Sequence, residues 1–295
     1  GNIDSVEAIA YQGSKILVLD KTNDNIVVYR RTEYGDLLLS AIEHNNDRLY
    51  DMTIDDWTEI LKRNNNFDSA YIGIGKSLYR SAKYEEALTY YKSAYDTENY
   101  SEAFKEIRKN WISKYIVLIP IIVVAIIVLL VLFNKYAAKL NKKTQLKKGR
   151  KTFWEELMYA NHLIVHPFDG FWDLKHEYRG SVRASFVWLA LAILTFYYQS
   201  VGTGYVFNPR RAYSTILIQL TAVLVPVLLW SVSNWCLTTL FDGEGTFRDI
   251  FVATCYALVP IPILIIPSVI ISNFALATEA KTINLLVSIA FVWCG

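Results

Sequence analysis

Nineteen residues, Tyr115 to Phe133, pass without a charge, and the next eighteen, Asn134 to Lys151, carry eight lysines and arginines and no acid. At about 1.5 Å per residue, an uncharged helix of that length just crosses a ~30 Å hydrocarbon core. Basic residues flanking a span stay on the cytoplasmic side. Here Lys135, Lys139, Lys142, Lys143, Lys147, Lys148, Arg150 and Lys151 all follow the apolar run, whereas the preceding flank mixes Lys105, Arg108, Lys109 and Lys114 with Glu102 and Glu106. The pattern divides the chain into a polar half and a membrane half and predicts that residues 1–113 face outward.

Composition agrees with that division. A mean hydropathy of +0.22 with 53% hydrophobic residues is high for a soluble protein and diluted for a wholly membranous one. The net charge of +2 hides the local concentration of cations. The patch Lys142, Lys143, Lys147, Lys148, Arg150 and Lys151 reads as a contact with anionic lipid headgroups, worth roughly 1 kcal/mol per residue near the surface. It adjoins a span and has no folded basic surface around it, so nucleic acid is not the expected partner. The three cysteines, Cys236, Cys255 and Cys294, all lie in apolar runs and read as small hydrophobic residues. None falls in the polar half, which therefore has no disulfide framework. Gly1 in place of an initiator, and no secretory signal ahead of the polar half, lead us to expect a longer chain upstream. At the other end, the apolar run from Ile283 to Gly295 reads as too short to span, as in a chain cut at the C-terminus.

In the polar half, Ile16–Leu19 and Ile26–Tyr29 flank an Asp/Asn-rich turn, the signature of a β-hairpin. The order of Ile16, Val18, Asp20, Asn23, Ile26, Val28 and Tyr29 resembles one blade of an NHL-type β-propeller, with Asp20 and Asn23 expected to satisfy turn backbone. A lone hairpin cannot bury its own face. Past Gly35 the pattern turns helical. Tyr71, Ile74, Gly75 and Leu78, followed by Tyr84, Ala87, Tyr91 and Ala94, resemble a tetratricopeptide repeat. Tyr50, Thr53, Trp57 and Ile60 stand one 34-residue period earlier, as a weaker second copy. Asn99 stands where that family often has proline. The tyrosines at 71, 79, 90 and 95 form a candidate interaction surface for a peptide or glycan, and the alternative is packing against neighbouring elements. Residues Asn99 to Lys114 read as a polar helix leading into the first span.

Beyond the basic patch, Thr152–Gly180 is aromatic and amphipathic, a composition that favours the headgroup interface. Apolar runs follow at Ala184–Gln199, Ser214–Leu240, Ile250–Ile271 and from Ile283 onward. Three segments together, His166–Lys175, Asp242–Asp249 and Cys255–Pro262, resemble the Yip family of polytopic membrane proteins over Phe153 to Gly295. The resemblance implies a helical bundle, and its eukaryotic members are linked to Rab GTPases and membrane traffic. An NHL–repeat–Yip order looks bacterial, so Rab binding is not carried over.

No charged residue lies in the first three of those runs, which argues against proton- or sodium-coupled transport. Gln219, Ser231, Asn234 and Thr238 suit hydrogen bonds between helices. His162, His166, His176 and Glu177 lack an HExxH pattern, and Pro167 interrupts the helix that would hold them, so no metal or other cofactor is assigned. Asp242 and Glu244 read as part of a Gly-rich connection, and no catalytic residues are assigned. The sequence therefore predicts a mainly α protein: a multi-span helical membrane bundle with an outward helical-repeat module and a short β-hairpin. Its expected parts are a blade fragment at 1–35, repeats at 36–113, a transmembrane helix at 114–134, a basic linker at 135–151 and a Yip-like domain at 152–295. Such a chain reads as a bacterial plasma-membrane scaffold or receptor, with the bilayer and protein partners as ligands. The rival readings are a transporter component and a membrane-anchored propeller enzyme.

Overall fold

Helices dominate the described residues. The computed structural model describes residues 3–145, 147 and 151–294. Two compact units divide the chain, Gly1–Ile107 and Arg108–Gly295.

The first unit opens with a three-stranded antiparallel meander, β1 (Val6–Gln12), β2 (Lys15–Asp20) and β3 (Asn25–Arg30), in the order β1-β2-β3. The expected hairpin is β2–β3, with Ile16 opposite Tyr29 and Val18 opposite Val27. The sequence reading missed β1, because Glu7, Ala8 and Ala10 dilute its β-branched signal. Gly13, at φ +58°, makes the β1–β2 turn in a backbone region that L side chains rarely adopt. Most of the sheet is bare, with Val18 and Asp20 its only buried side chains.

Asp20 ties the turn together. Its carboxylate accepts from the backbone N–H groups of Asp4 (3.0 Å), Ser5 (3.1 Å) and Thr22 (3.0 Å) and from the Asn23 side-chain amide (2.8 Å). Asn23 first, then the Asp4 N–H, holds this carboxyl down at about 2 against the opposing effect of burial.

Five helices follow: α1 (Glu33–Asn46), α2 (Tyr50–Arg63), α3 (Asp68–Arg80), α4 (Tyr84–Ser93) and α5 (Thr97–Tyr115). Thr32 caps α1 by accepting from the Gly35 N–H at 3.2 Å, with Glu33 and Asp36 in the positive first turn. Thr53, Trp57 and Ile60 give α2 one buried stripe at helical spacing. Two glycines let α3 approach both neighbours. A Cβ on Gly73 would strike the Trp57 indole, and one on Gly75 would come within 2.6 Å of the Tyr91 ring. Ala41 and Gly75, Thr53 and Ala87, and Trp57 and Tyr91 are buried pairs 34 residues apart. Arg48 and Ala82, also 34 apart, take the left-handed conformation between successive helices, at φ +62° and +61°.

The second unit contains α6 (Leu118–Gln145), α7 (Phe153–Val165), α8 (Pro167–His176), α9 (Val182–Gly202), α10 (Ile216–Leu240), α11 (Phe247–Ala257), α12 (Pro260–Ser272) and α13 (Ala280–Cys294). Among the described residues, five segments are long and apolar enough to cross a membrane: α6, α9, α10, α11–α12 taken together, and Ala277–Cys294. The last of these corrects the expectation of a run too short to span. A 3₁₀ turn at Ala277–Glu279 precedes α13 and brings the segment to 18 residues. The stretch expected as a basic linker is helical through Gln145, because α6 continues past its apolar part and buries Ala137, Asn141 and Thr144 against α7.

Contacts sort the bundle into two ends. At one, the Gly204 N–H donates to Ser272 Oγ, Asn273 donates to the Gly202 carbonyl, and Arg108 grips Glu279 through two bonds of 2.8 and 2.9 Å. At the other lie the basic tail of α6, α7, α8 and the starts of α9 and α11.

Since Asp20 is held near pH 2, below its ordinary value of 3.8, its contribution is complete above about pH 4 and fades as the pH falls toward 2. Amide exchange in the full chain, corrected for intrinsic rate, should show Ser5 and Thr22 losing protection between pH 5 and pH 2.5. Asp20→Asn should remove the same protection at neutral pH, by about tenfold, without touching α3. Unchanged protection in both tests would refute the role given to Asp20.

Candidate functional site

The richest polar chemistry of the second unit gathers at the basic end, around the helical hairpin α7–α8. Thr152 and Glu155 form a reciprocal capping box that starts α7. Pro167 ends α7 and opens α8 at its first turn, where a missing N–H costs nothing. Gly170 lets the two helices close, since a Cβ there would sit 2.7 Å from Leu163. Tyr159 then donates to the Gly170 carbonyl at 2.9 Å.

Glu156 fastens this hairpin to the spans. Its buried carboxylate accepts from Arg183 Nε at 2.8 Å and Nη2 at 3.0 Å, a bidentate arrangement, and from the Ser181 hydroxyl. Its carbonyl accepts from Tyr256 Oη at 2.7 Å, although 100 residues separate the two. Tyr159, Leu163, Ala184, Val252 and Tyr256 pack into one apolar cluster around that contact.

Arg179, only 3% exposed, is the second anchor. Its Nη2 donates to the Asn141 carbonyl at 3.0 Å, Nη1 lies 3.4 Å from Glu177, and the guanidinium stands 4.8 Å from the Tyr159 ring centroid. Among the described residues, Arg179 Nε and Asn141 Oδ1 are buried without a hydrogen-bond partner. Both residues line a cleft of about 450 Å³ that also involves Lys142, His162, Asp169, Trp172 and Asp173. Burial first, then His166 and Arg179, holds His162 below the ordinary imidazole range. A second cleft, of about 610 Å³, is lined by Lys147, Lys151, Arg183 and Arg248 together with Glu156 and Glu177.

The expected basic patch is only partly free. Lys142 and Lys143 are exposed on the tail of α6. Lys147 pairs with Glu155 at 2.9 Å, and Lys151 donates to the Glu177 carbonyl. Lys148 and Arg150 lie outside the described residues. In the first unit, Tyr71, Tyr79 and Tyr90 are half-buried and Tyr95 is exposed. Tyr71 donates to the Asn65 carbonyl, and Tyr79 meets Tyr84 edge-on. Tyr91 lies buried against Gly75 instead of on that surface.

The fold also brings together a serine, a histidine and an aspartate that the sequence reading did not connect. Ser40 donates to Asp56 Oδ2 at 2.7 Å, and His44 Nδ1 lies 2.8 Å from the same oxygen. The serine proton is thus committed to the carboxylate, and Ser40 faces the same imidazole nitrogen that Asp56 does, at 3.4 Å. A relay needs the two ring nitrogens to serve different partners, so this cluster joins α1 to α2. Among the described residues, no three His, Cys, Asp or Glu side chains gather closely enough to hold a metal ion.

Among the described residues, five segments long and apolar enough to cross a membrane mark an integral, polytopic membrane protein of the helical class. Residues 161–295 match the Yip1 domain family, and that match takes in all of the spans except α6. Comparison with curated proteins and with solved structures finds no match. The matched region begins within α7, so Glu156 and the tail of α6 lie outside it.

Tyr256→Phe removes a buried hydroxyl and leaves the ring in place. It should destabilise the full chain by ~1 kcal/mol in a detergent unfolding titration, with faster proteolysis within α7 and α8. Wild-type stability in this variant would contradict the clamping role of the Tyr256–Glu156 bond.

Proposed function

We propose that the protein is a membrane scaffold, with an outward helical-repeat module that recruits a protein partner and a Yip-type bundle that anchors it. One observation carries the choice of scaffold over coupled transporter: five hydroxyl and amide side chains of the spans serve their own backbones. Thr195 donates to the Leu191 carbonyl, Ser231 to Val227, Asn234 to Trp230, Thr238 to Asn234 and Ser268 to Leu264, all between 2.7 and 2.9 Å. For Ser231, Asn234 and Thr238 this replaces the interhelical role expected from sequence. Groups bonded in this way are not available to coordinate an ion or to pass a proton.

Two further features support the reading. The buried positions spaced 34 residues apart in α1–α4 favour a tetratricopeptide-like array, a form that presents side chains on an extended surface. The apolar window of α6 buries none of its residues within the chain, which leaves that span free to meet lipid or a partner helix. In this reading residues 1–113 face outward from a bacterial plasma membrane, with Tyr95 the most accessible of the four candidate contact tyrosines.

Transport is the alternative, and it rests on the break between α11 and α12. The groups freed there are already satisfied: the Leu258, Val259 and Ile261 N–H groups bond to Cys255, Tyr256 and Leu258.

The purified full chain should show no solute flux when reconstituted alone. Crosslinking in native membranes should capture a discrete partner, and Tyr95→Ala should weaken that capture several-fold. Robust flux by the isolated protein with no crosslinked partner would overturn the scaffold reading.

A further inference from the structure

The cleft between the tail of α6 and the α7–α8 hairpin has the features of a built ligand site. Its volume of about 450 Å³ falls within the roughly 300–1,000 Å³ of small-molecule pockets. Two of its lining residues, Arg179 and Asn141, keep a buried donor and a buried acceptor unpaired among the described residues. Leaving such groups unmet costs about 1–3 kcal/mol each, so the polar lining of the cleft is not satisfied by the chain alone.

The charges specify that polarity. Lys142 and Arg179 supply two cations, and Asp169 and Asp173 supply two carboxylates. His162, held low by burial, adds no firm charge at neutral pH. A simple anion would confront the two aspartates, and a simple cation would confront Arg179. A zwitterion satisfies both halves. Trp172 adds an aromatic wall, one face of which is occupied by His176 at 4.3 Å. Asn141 stands eight residues beyond Phe133, about 12 Å further along the helix, so the cleft opens near the level of lipid headgroups. The aromatic exterior of α8 suits the same depth: Phe168 is 91% exposed.

We propose that this cleft binds the phosphoethanolamine headgroup of a membrane phospholipid. Arg179 and Lys142 receive the phosphate, and Asp169 and Asp173 receive the primary ammonium. A primary ammonium offers three donors to two carboxylates, whereas a quaternary choline offers none. The site should therefore separate those two headgroups. This inference is independent of the scaffold reading, because it concerns what the membrane half holds and not what the polar half recruits.

The test uses the full chain, purified in detergent and exposed to mixed micelles of phosphatidylethanolamine, phosphatidylcholine and phosphatidylglycerol, with retained lipid counted by native mass spectrometry. The wild type should retain one phosphatidylethanolamine over phosphatidylcholine by about tenfold, the scale of one hydrogen bond to a charged group. Asp169→Asn, at an exposed position, with Asp173→Asn, at a half-buried one, should abolish that preference. Lys142→Gln, at an exposed position, should weaken retention of phosphatidylethanolamine and phosphatidylcholine alike. Equal retention of the two lipids by the wild type, a preference for phosphatidylglycerol, or an unchanged preference in the double variant would each overturn the proposal. Soluble glycerophosphoethanolamine distinguishes the source: if it binds while no lipid is retained, the headgroup chemistry stands and the membrane source is refuted.

Discussion

A bilayer offers no hydrogen-bonding partner to a polar group, so every donor and acceptor in the spans must be met within the chain. Most of the second unit follows from that constraint. Serine and threonine hydroxyls fold back onto carbonyls one turn earlier. The one sharp break, at Leu258 and Val259, is closed by 3₁₀-type bonds before Pro260, which needs no donor at the first position of α12. Where α9 and α12 end, Gly204 passes so close to Ser272 that a side chain would strike its carbonyl, and the Gly204 N–H uses that approach to bond Ser272 Oγ.

Where the chain leaves hydrocarbon, charge takes over as the organising interaction. Glu156 is the clearest case. One carboxylate meets Arg183 and Ser181, and the adjacent carbonyl meets Tyr256, so a single residue of α7 holds the start of α9 and the end of α11. Arg179 plays the complementary part, joining the tail of α6 to Tyr159. Each anchor belongs to a short amphipathic segment whose role depends on partners distant in sequence.

That distinction explains what could be read from the sequence. The first four span positions, the charge step after Phe133 and the helical regime past Gly35 were legible, because each depends on local composition or periodicity. The turn chemistry of Asp20 and Asn23 was legible for the same reason. The pairing of Glu156 with Arg183, the unpaired atoms of Arg179 and Asn141, and the meeting of Ser40, His44 and Asp56 were not. No local signal separates a glutamate bound to a distant arginine from one facing solvent. The hydroxyls of α10 and the Asn234 amide were legible as polar groups needing partners, but the partner they choose is their own helix. Strand β1 was lost for a simpler reason: Ala8 and Ala10 carry little β signal, and pairing with β2 decides their conformation.

The proposed orientation rests on the basic run after Phe133, which by the charge rule puts residues 1–113 outside and the cations after Phe133 inside. Single cysteines at two exposed sites test it most directly, Glu86→Cys in α4 and Lys139→Cys in α6, each in a background where Cys236, Cys255 and Cys294 are alanine. A membrane-impermeant maleimide should label the first in intact cells and the second only after permeabilisation. Labelling of Lys139→Cys from outside, with Glu86→Cys protected until the membrane is opened, would contradict the account.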